Sequence, residues 1–321
     1  MVPPRVQPLI VGRGAAGMAL RHALALYPDA VAPAAWHPRE APLSVPSDPE
    51  RALIVVASPH ALHTPRLREA AERGYRFAIC EKPAAVDLSQ VEALAGLPMA
   101  TWICHGYRLL WGPQELRRAV ADGRFGTLVS IEGRYWQSSA TRASGGDSWK
   151  DTPALSGAYD VLLDLATHWV DLVTCLCGRL PDATSVRRWF VNAGAPHRET
   201  HVHVTMQFGD LVSFGSVSKT VHGAGNMLEV ALVGERASAR WSFERPDVIV
   251  WGSGGSCSTQ VRSERELPAR PAPFHGLGWM EGYGRLVGEV VARMQGRGET
   301  AAATLESHLA LLRMLIDAAE R

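Results

Sequence analysis

The sequence has no run of 18 or more apolar residues, and so no candidate for a membrane-spanning helix. Its opening, Met1-Val2-Pro3-Pro4-Arg5, lacks the apolar stretch and cleavage site of a secretory signal. Charge of one sign is lacking too. A formal net charge of +1 leaves no electrostatic footprint for nucleic acid or an acidic membrane. Cysteine is sparse: Cys80, Cys104, Cys175, Cys177 and Cys257 show no metal-ligand spacing, so no metal site is expected. An odd number in so long a chain reads as reduced thiols and a cytoplasmic location. Lysine is nearly missing. Lys82, Lys150 and Lys219 stand against thirty arginines, which with abundant Ala, Gly and Pro reads as coding bias. There is no internal repeat and no low-complexity segment.

What is present is ordinary for a globular chain, 46% hydrophobic and 20% charged. A length of 321 residues favours two domains, at roughly 100–200 residues each. In the first third, strand-like runs alternate with helical ones: Pro8 to Val11, Met18 to Leu26, Ala30 to Trp36, Ala52 to Ala57, Thr64 to Arg73, Phe77 to Cys80, Leu88 to Leu94 and Ala100 to Cys104. That alternation predicts a doubly wound parallel sheet, an α/β Rossmann domain. The pattern changes after about residue 110. A helix over Leu162 to Cys177 precedes several alternating runs, with Gly209-Asp210 as a tight hairpin, and two closing helices follow. This predicts an α+β domain with a large open antiparallel sheet. The expected division is 1–112 and 113–321.

Gly12, Gly14 and Gly17, with Ala15 and Ala16 in the same turn, fit G-x-G-x-x-G between a strand and the helical run that begins at Met18. The first glycine permits the turn, the second admits a pyrophosphate to the backbone, and the third lets the helix pack on the strand. The helix N-terminus then attracts phosphate. The end of the second strand, Trp36-His37-Pro38-Arg39, has no acid for a ribose 2′-hydroxyl. His37 and Arg39 could meet a 2′-phosphate and Trp36 could stack on adenine, a slight lean to NADP over NAD; as plain loop residues they would do neither. The chain between Trp36 and Ala52 is too short for the usual helix and strand, so an abbreviated adenosine end is expected.

Three further segments carry polar residues in order: Ser58-Pro59-His60 with His63, Glu81-Lys82-Pro83, and Asp164-x-x-x-His168. With the glycine turn, and with Gly106-Tyr107-Arg108 and Trp149-Lys150, the chain resembles the Gfo/Idh/MocA family of oxidoreductases over nearly its whole length. The resemblance implies hydride transfer between a nicotinamide and a hydroxyl or keto carbon of a modified sugar, nucleotide-linked sugar or cyclitol. It implies Lys82 on the reacting oxygen, Asp164 positioning the substrate and His168 moving the proton. Ser58, Pro59, His60, His63, Glu81 and Lys82 would line the cofactor, and Arg108 and Lys150 the substrate; apart from the resemblance, His275 lies near the start of the closing helices and could reach the substrate. It also implies a homo-oligomer, dimer or tetramer, formed through the sheet. The chemistry suits the residue types: an imidazole takes a carbinol proton near neutrality, and a cation stabilises developing negative charge. A spacing of four puts Asp164 and His168 on one helix face.

Each residue also has a plain alternative. Lys82 could be a surface lysine, Asp164 a helix cap and His168 a satisfied core histidine. The family commonly has glycines where this chain has Tyr159-Asp160, and these two are expected to reshape the substrate pocket. Two other functions stay open: imine reduction on the same scaffold, and a non-catalytic dinucleotide sensor.

Overall fold

In chain order the elements are β1 (Gln7–Val11), α1 (Ala15–Ala25), β2 (Ala35–Trp36), β3 (Ala52–Val56), α2 (His63–Glu72), β4 (Phe77–Cys80), α3 (Leu88–Leu94), β5 (Ala100–Ile103), α4 (Trp111–Ala121), β6 (Leu128–Gln137) and the short α5 (Pro153–Ser156). A π-helical turn, Leu162–Ala166, runs into α6 (Thr167–Cys177). Then come β7 (Ala183–Trp189), β8 (His201–Phe208), β9 (Leu211–Ser218), β10 (Asn226–Gly234), β11 (Ser238–Ser242), β12 (Val248–Ser253), β13 (Ser256–Val261), α7 (Met280–Met294), β14 (Ala303–Thr304) and α8 (Leu305–Glu320). The structure, a computed structural model, describes residues 5–38, 41–139, 149–190, 198–263 and 278–321. No helix among them is long and apolar enough to cross a membrane.

The chain divides into two compact units, but not by one cut. Met1–Leu109, Trp149–Ala158 and Gly276–Leu312 form the first; Leu110–Ser148, Tyr159–His275 and Arg313–Arg321 form the second. A linear boundary at 112/113 therefore does not describe these units. The returning segments belong to the first because α7 packs on α1, and β14 pairs with β5. Helical periodicity marks an apolar face without saying which sheet that face will cover.

The first unit holds a six-stranded sheet in the order β14-β5-β4-β3-β1-β2, parallel except for β14. All five residues of β3 are buried, as a parallel strand covered on both faces requires. Leu20, Leu24, Leu286, Val287 and Val290 cover Ile10, Leu53 and Val55 in its core. A complete doubly wound sheet has another strand outside the second. Here the two-residue β2 is the edge, and the described residues between β2 and β3 contain no helix, so this end is abbreviated.

The second unit holds an eight-stranded sheet in the order β13-β12-β11-β10-β6-β9-β8-β7. The expectation of an antiparallel sheet needs one correction, because β6 and β9 pair in parallel. Gly133 and Gly215 face each other across that pair, and Trp169 of α6 lies on both. A Cβ on Gly215 would come 2.0 Å from Trp169 Nε1, and one on Gly133 2.7 Å from the ring. This fit seats α6 on the sheet, with His168 beside the buried tryptophan. The Gly209 hairpin forms between β8 and β9, with the glycine at φ 67°.

Candidate functional site

In the first unit, Gly12 has φ 107°, a left-handed conformation that strains any other residue. A Cβ there would lie 2.2 Å from the Ala57 carbonyl oxygen, and one on Gly17 2.0 Å from the Gly12 oxygen. Gly14 differs: a Cβ there would meet nothing within 4 Å. The turn is thus closed behind and open at Gly14. The helix it starts has no side-chain cap and no acid in its first turn, so its first N–H groups remain for an anion. Ser58, beyond the end of β3, has a buried hydroxyl with no hydrogen-bond partner among the described residues. An open approach, uncapped N–H groups and an orphaned hydroxyl at the carboxyl end of a parallel sheet suit a dinucleotide.

At the adenosine end, the Arg13 and Arg21 guanidinium carbons lie 5.7 and 5.5 Å from the centre of the Trp36 ring. His37 is buried, and its ring N–H donates to the Ala41 carbonyl at 2.8 Å. That contact occupies one nitrogen of the ring. Arg39 and His275 lie outside the described residues.

His63 is fully buried, with Nδ1 2.7 Å from the Pro83 carbonyl oxygen and Nε2 2.7 Å from that of Ser58. Both nitrogens face backbone, so His63 ties the loop after β3 to the loop after β4 and has none left for a cofactor. A neutral ring has one N–H for two carbonyls, but burial, aided by the nearby Lys82 charge, lowers its pKa to about 4. His60 is buried and meets Trp149 edge-on at 4.8 Å. Lys150, next in the chain, is exposed, its Nζ 5.8 Å from the Trp149 ring centre. Pro59 begins the short 3-10 turn that carries His60.

Glu81 is buried, and its carboxylate accepts from the Tyr283 hydroxyl at 2.6 Å and the Lys82 N–H at 3.2 Å. Burial raises its pKa despite these bonds. Lys82 is half-buried, and the Lys82–Pro83 peptide is cis. Arg108 is half-buried in a turn whose Gly106 lies against Gly282 of α7.

Behind Lys82 the structure adds a pair that sequence reasoning missed. His308 of α8 accepts the Ala84 N–H on Nε2 at 3.2 Å, so its Nδ1–H donates to His105 Nε2 at 2.9 Å. The Ala84 bond requires neutral His308, and burial lowers its pKa to about 3. Because the folded value lies below the unfolded one near 6.5, the unfolded chain binds the extra proton. Stability from this group is complete above about pH 6.5 and declines as pH falls towards 3, by an order of several kcal/mol. Thermal melts from pH 7 to 3.5 should show this decline, and His308→Gln should flatten it. Equal slopes in the two proteins would refute the assignment.

In the second unit, Asp164 sits inside the π-helical turn, with 7% of its side chain exposed and Oδ2 2.7 Å from Lys219 Nζ. The residue before the turn is Val161 and makes no side-chain cap, so Asp164 is not a helix cap. Such wide turns are frequent at functional sites. His168 is buried one turn on, and the Tyr135 ring meets it at 5.9 Å between centroids. The Tyr135 hydroxyl donates to Asn226 at 2.9 Å and accepts from Gln137 at 3.0 Å, which holds that ring in place. Tyr159 and Asp160 part company. The Tyr159 hydroxyl donates to Glu320 at 3.2 Å, with Arg188 over its ring, while Asp160 joins Lys219.

Residues 114–240 match the GFO/IDH/MocA C-terminal domain. Over those residues the chain carries a Gfo/Idh/MocA-type C-terminal domain. Among proteins similar to this chain, levoglucosan dehydrogenase of Pseudarthrobacter phenanthrenivorans is 24% identical over 273 residues, 74% of this chain and 70% of that one. In fold it resembles an inositol dehydrogenase homolog from Azotobacter vinelandii solved with NAD+ (TM-score 0.83, 20% identity, 100% of this chain and 96% of that one). It also resembles a levoglucosan dehydrogenase solved with NADH and levoglucosan (TM-score 0.82, 20% identity, 99% and 97%).

Proposed function

We propose that this chain is an NAD(P)-dependent dehydrogenase or ketoreductase acting on a hydroxyl or keto carbon of a sugar, nucleotide-linked sugar or cyclitol. The observation that carries the reading is Asp164, a buried carboxylate held on an ammonium one turn before a buried histidine, within an otherwise apolar segment. The named relatives and the fold support it. The glycine turn, the N-terminus of α1 and Ser58 would hold the dinucleotide. When bound, its nicotinamide supplies or takes the hydride. Lys82 hydrogen-bonds the reacting oxygen and stabilises negative charge there. Asp164 orients the substrate, and His168 takes the hydroxyl proton in oxidation or returns it in reduction. A panel of hydroxy- and keto-sugars, cyclitols and imines with NAD(H) and NADP(H), followed at the nicotinamide absorbance, tests this. No turnover of any alcohol or ketone, or turnover of imines alone, would overturn it.

The finer cofactor preference is NADP. Arg13 and Arg21 bring two cations to Trp36, and His37 stands where an acid would meet a 2′-hydroxyl. Arg21→Ala should weaken NADP+ by about tenfold, one charge-assisted contact of roughly 1.5 kcal/mol, and leave NAD+ nearly unchanged. Equal losses for both cofactors in titration calorimetry would contradict the preference.

A further inference from the structure

Lys219, one of three lysines, follows β9 directly and is 6% exposed. Its Nζ lies 2.7 Å from Asp164 Oδ2 and also contacts Asp160 Oδ1. Burial opposes its charge, but Asp164 and Asp160 offset that, and its pKa is raised. The ammonium is therefore charged. Nearby, Glu199 accepts the N–H groups of Asp160 and Leu162, both at 2.9 Å, and so fixes the backbone entering the turn. Burial raises the Glu199 pKa.

One cation thus serves two carboxylates a turn apart. Without it, their like charges would repel in a site of low dielectric, and one would protonate. A protonated or re-aimed Asp164 would no longer present an anionic acceptor to a substrate hydroxyl. Resting on the reading above, we infer that Lys219 is a positioning residue for the reaction, holding the Asp164 carboxylate ionised and aimed. Asp160 competes for the same ammonium. Other titratable groups on the surrounding elements include Glu199 before β8, His201 and His203 on β8, His168, Asp171, Cys175 and Cys177 on α6, and Glu132, Arg134 and Tyr135 on β6.

The test combines Lys219→Met, Lys219→Arg and Asp160→Asn. Lys219→Met should lower kcat on the order of a hundredfold, with KM for the dinucleotide within about twofold, and Lys219→Arg should recover at least about tenfold of the loss. The Lys219→Met loss should be as large in the Asp160→Asn background, which also removes one of the two acids and guards against misfolding. If the loss disappears there, Lys219 merely neutralises Asp160, and the inference fails. A second readout needs no turnover: carboxyl-carbon NMR titration, with the Asp164 signal assigned from Asp164→Asn. Asp164 should titrate at higher pH in Lys219→Met than in the wild type or Lys219→Arg; an unchanged titration overturns the inference. A shifted titration in a protein that turns over no alcohol or ketone would instead sink the functional reading and leave the ionic bridge standing.

Discussion

Replacing His168 by asparagine should lower kcat/KM by about 10²- to 10⁴-fold, the usual contribution of a positioned general acid or base. Asparagine keeps a polar side chain beside Tyr135 but cannot carry the proton. Dinucleotide affinity should hold within about twofold, because the proposed cofactor residues lie in the first unit and His168 in the second. The pH profile of kcat/KM should also lose the limb that an imidazole contributes near neutrality. A variant with wild-type turnover would leave His168 as a core histidine packed on Tyr135. Tyr135→Phe serves as the control: it keeps the ring against His168 and removes the hydroxyl's bonds to Asn226 and Gln137.

The glycine turn yields the second large effect, because its three glycines should fail in different ways. Gly17→Ala places a methyl 2.0 Å from the Gly12 oxygen, a backbone atom that cannot rotate away. Forcing α1 off the turn should destabilise the protein by roughly 1–3 kcal/mol or more and abolish cofactor binding. Gly12→Ala should behave alike, with added strain from its φ of 107°. Gly14→Ala should fold with an unchanged melting temperature, since its methyl would meet nothing within 4 Å. Its dinucleotide affinity should still fall by about tenfold or more, at least roughly 1.4 kcal/mol, because the methyl fills the approach to the backbone. Melting curves and calorimetric titrations of the three variants check this together. Wild-type affinity in Gly14→Ala would mean that the dinucleotide does not approach there.

The outcome for each residue follows from how local its signal is. The glycine turn and the Asp164-x-x-x-His168 spacing are readable because a few consecutive residues set each geometry. The shortened adenosine end was also legible, since residue number alone limits what fits between Trp36 and Ala52. His63 shows the limit of that approach. Its position beside Ser58-Pro59-His60 suggests a cofactor contact, yet burial turns it inward onto two backbone carbonyls. Tyr159 and Asp160 are adjacent in the chain, and the structure sends one to Glu320 and the other to Lys219. For Lys219 a faint signal existed in the scarcity of lysine, but composition names no partner.

The sequence by itself determined the strand–helix alternation of the first unit, the strand-rich second unit, the glycine turn and the order of the chemical segments. These depend on periodicity, turn chemistry and spacing within short windows. Only the tertiary structure decided that β6 and β9 run parallel, that α7 and β14 return to the first sheet, and that His308 supports the turn after Lys82. It alone paired Lys219 with Asp164. A hydrophobic pattern states which face must leave water, but not which distant element will cover it. A buried charge must find a partner, and the fold chooses which one.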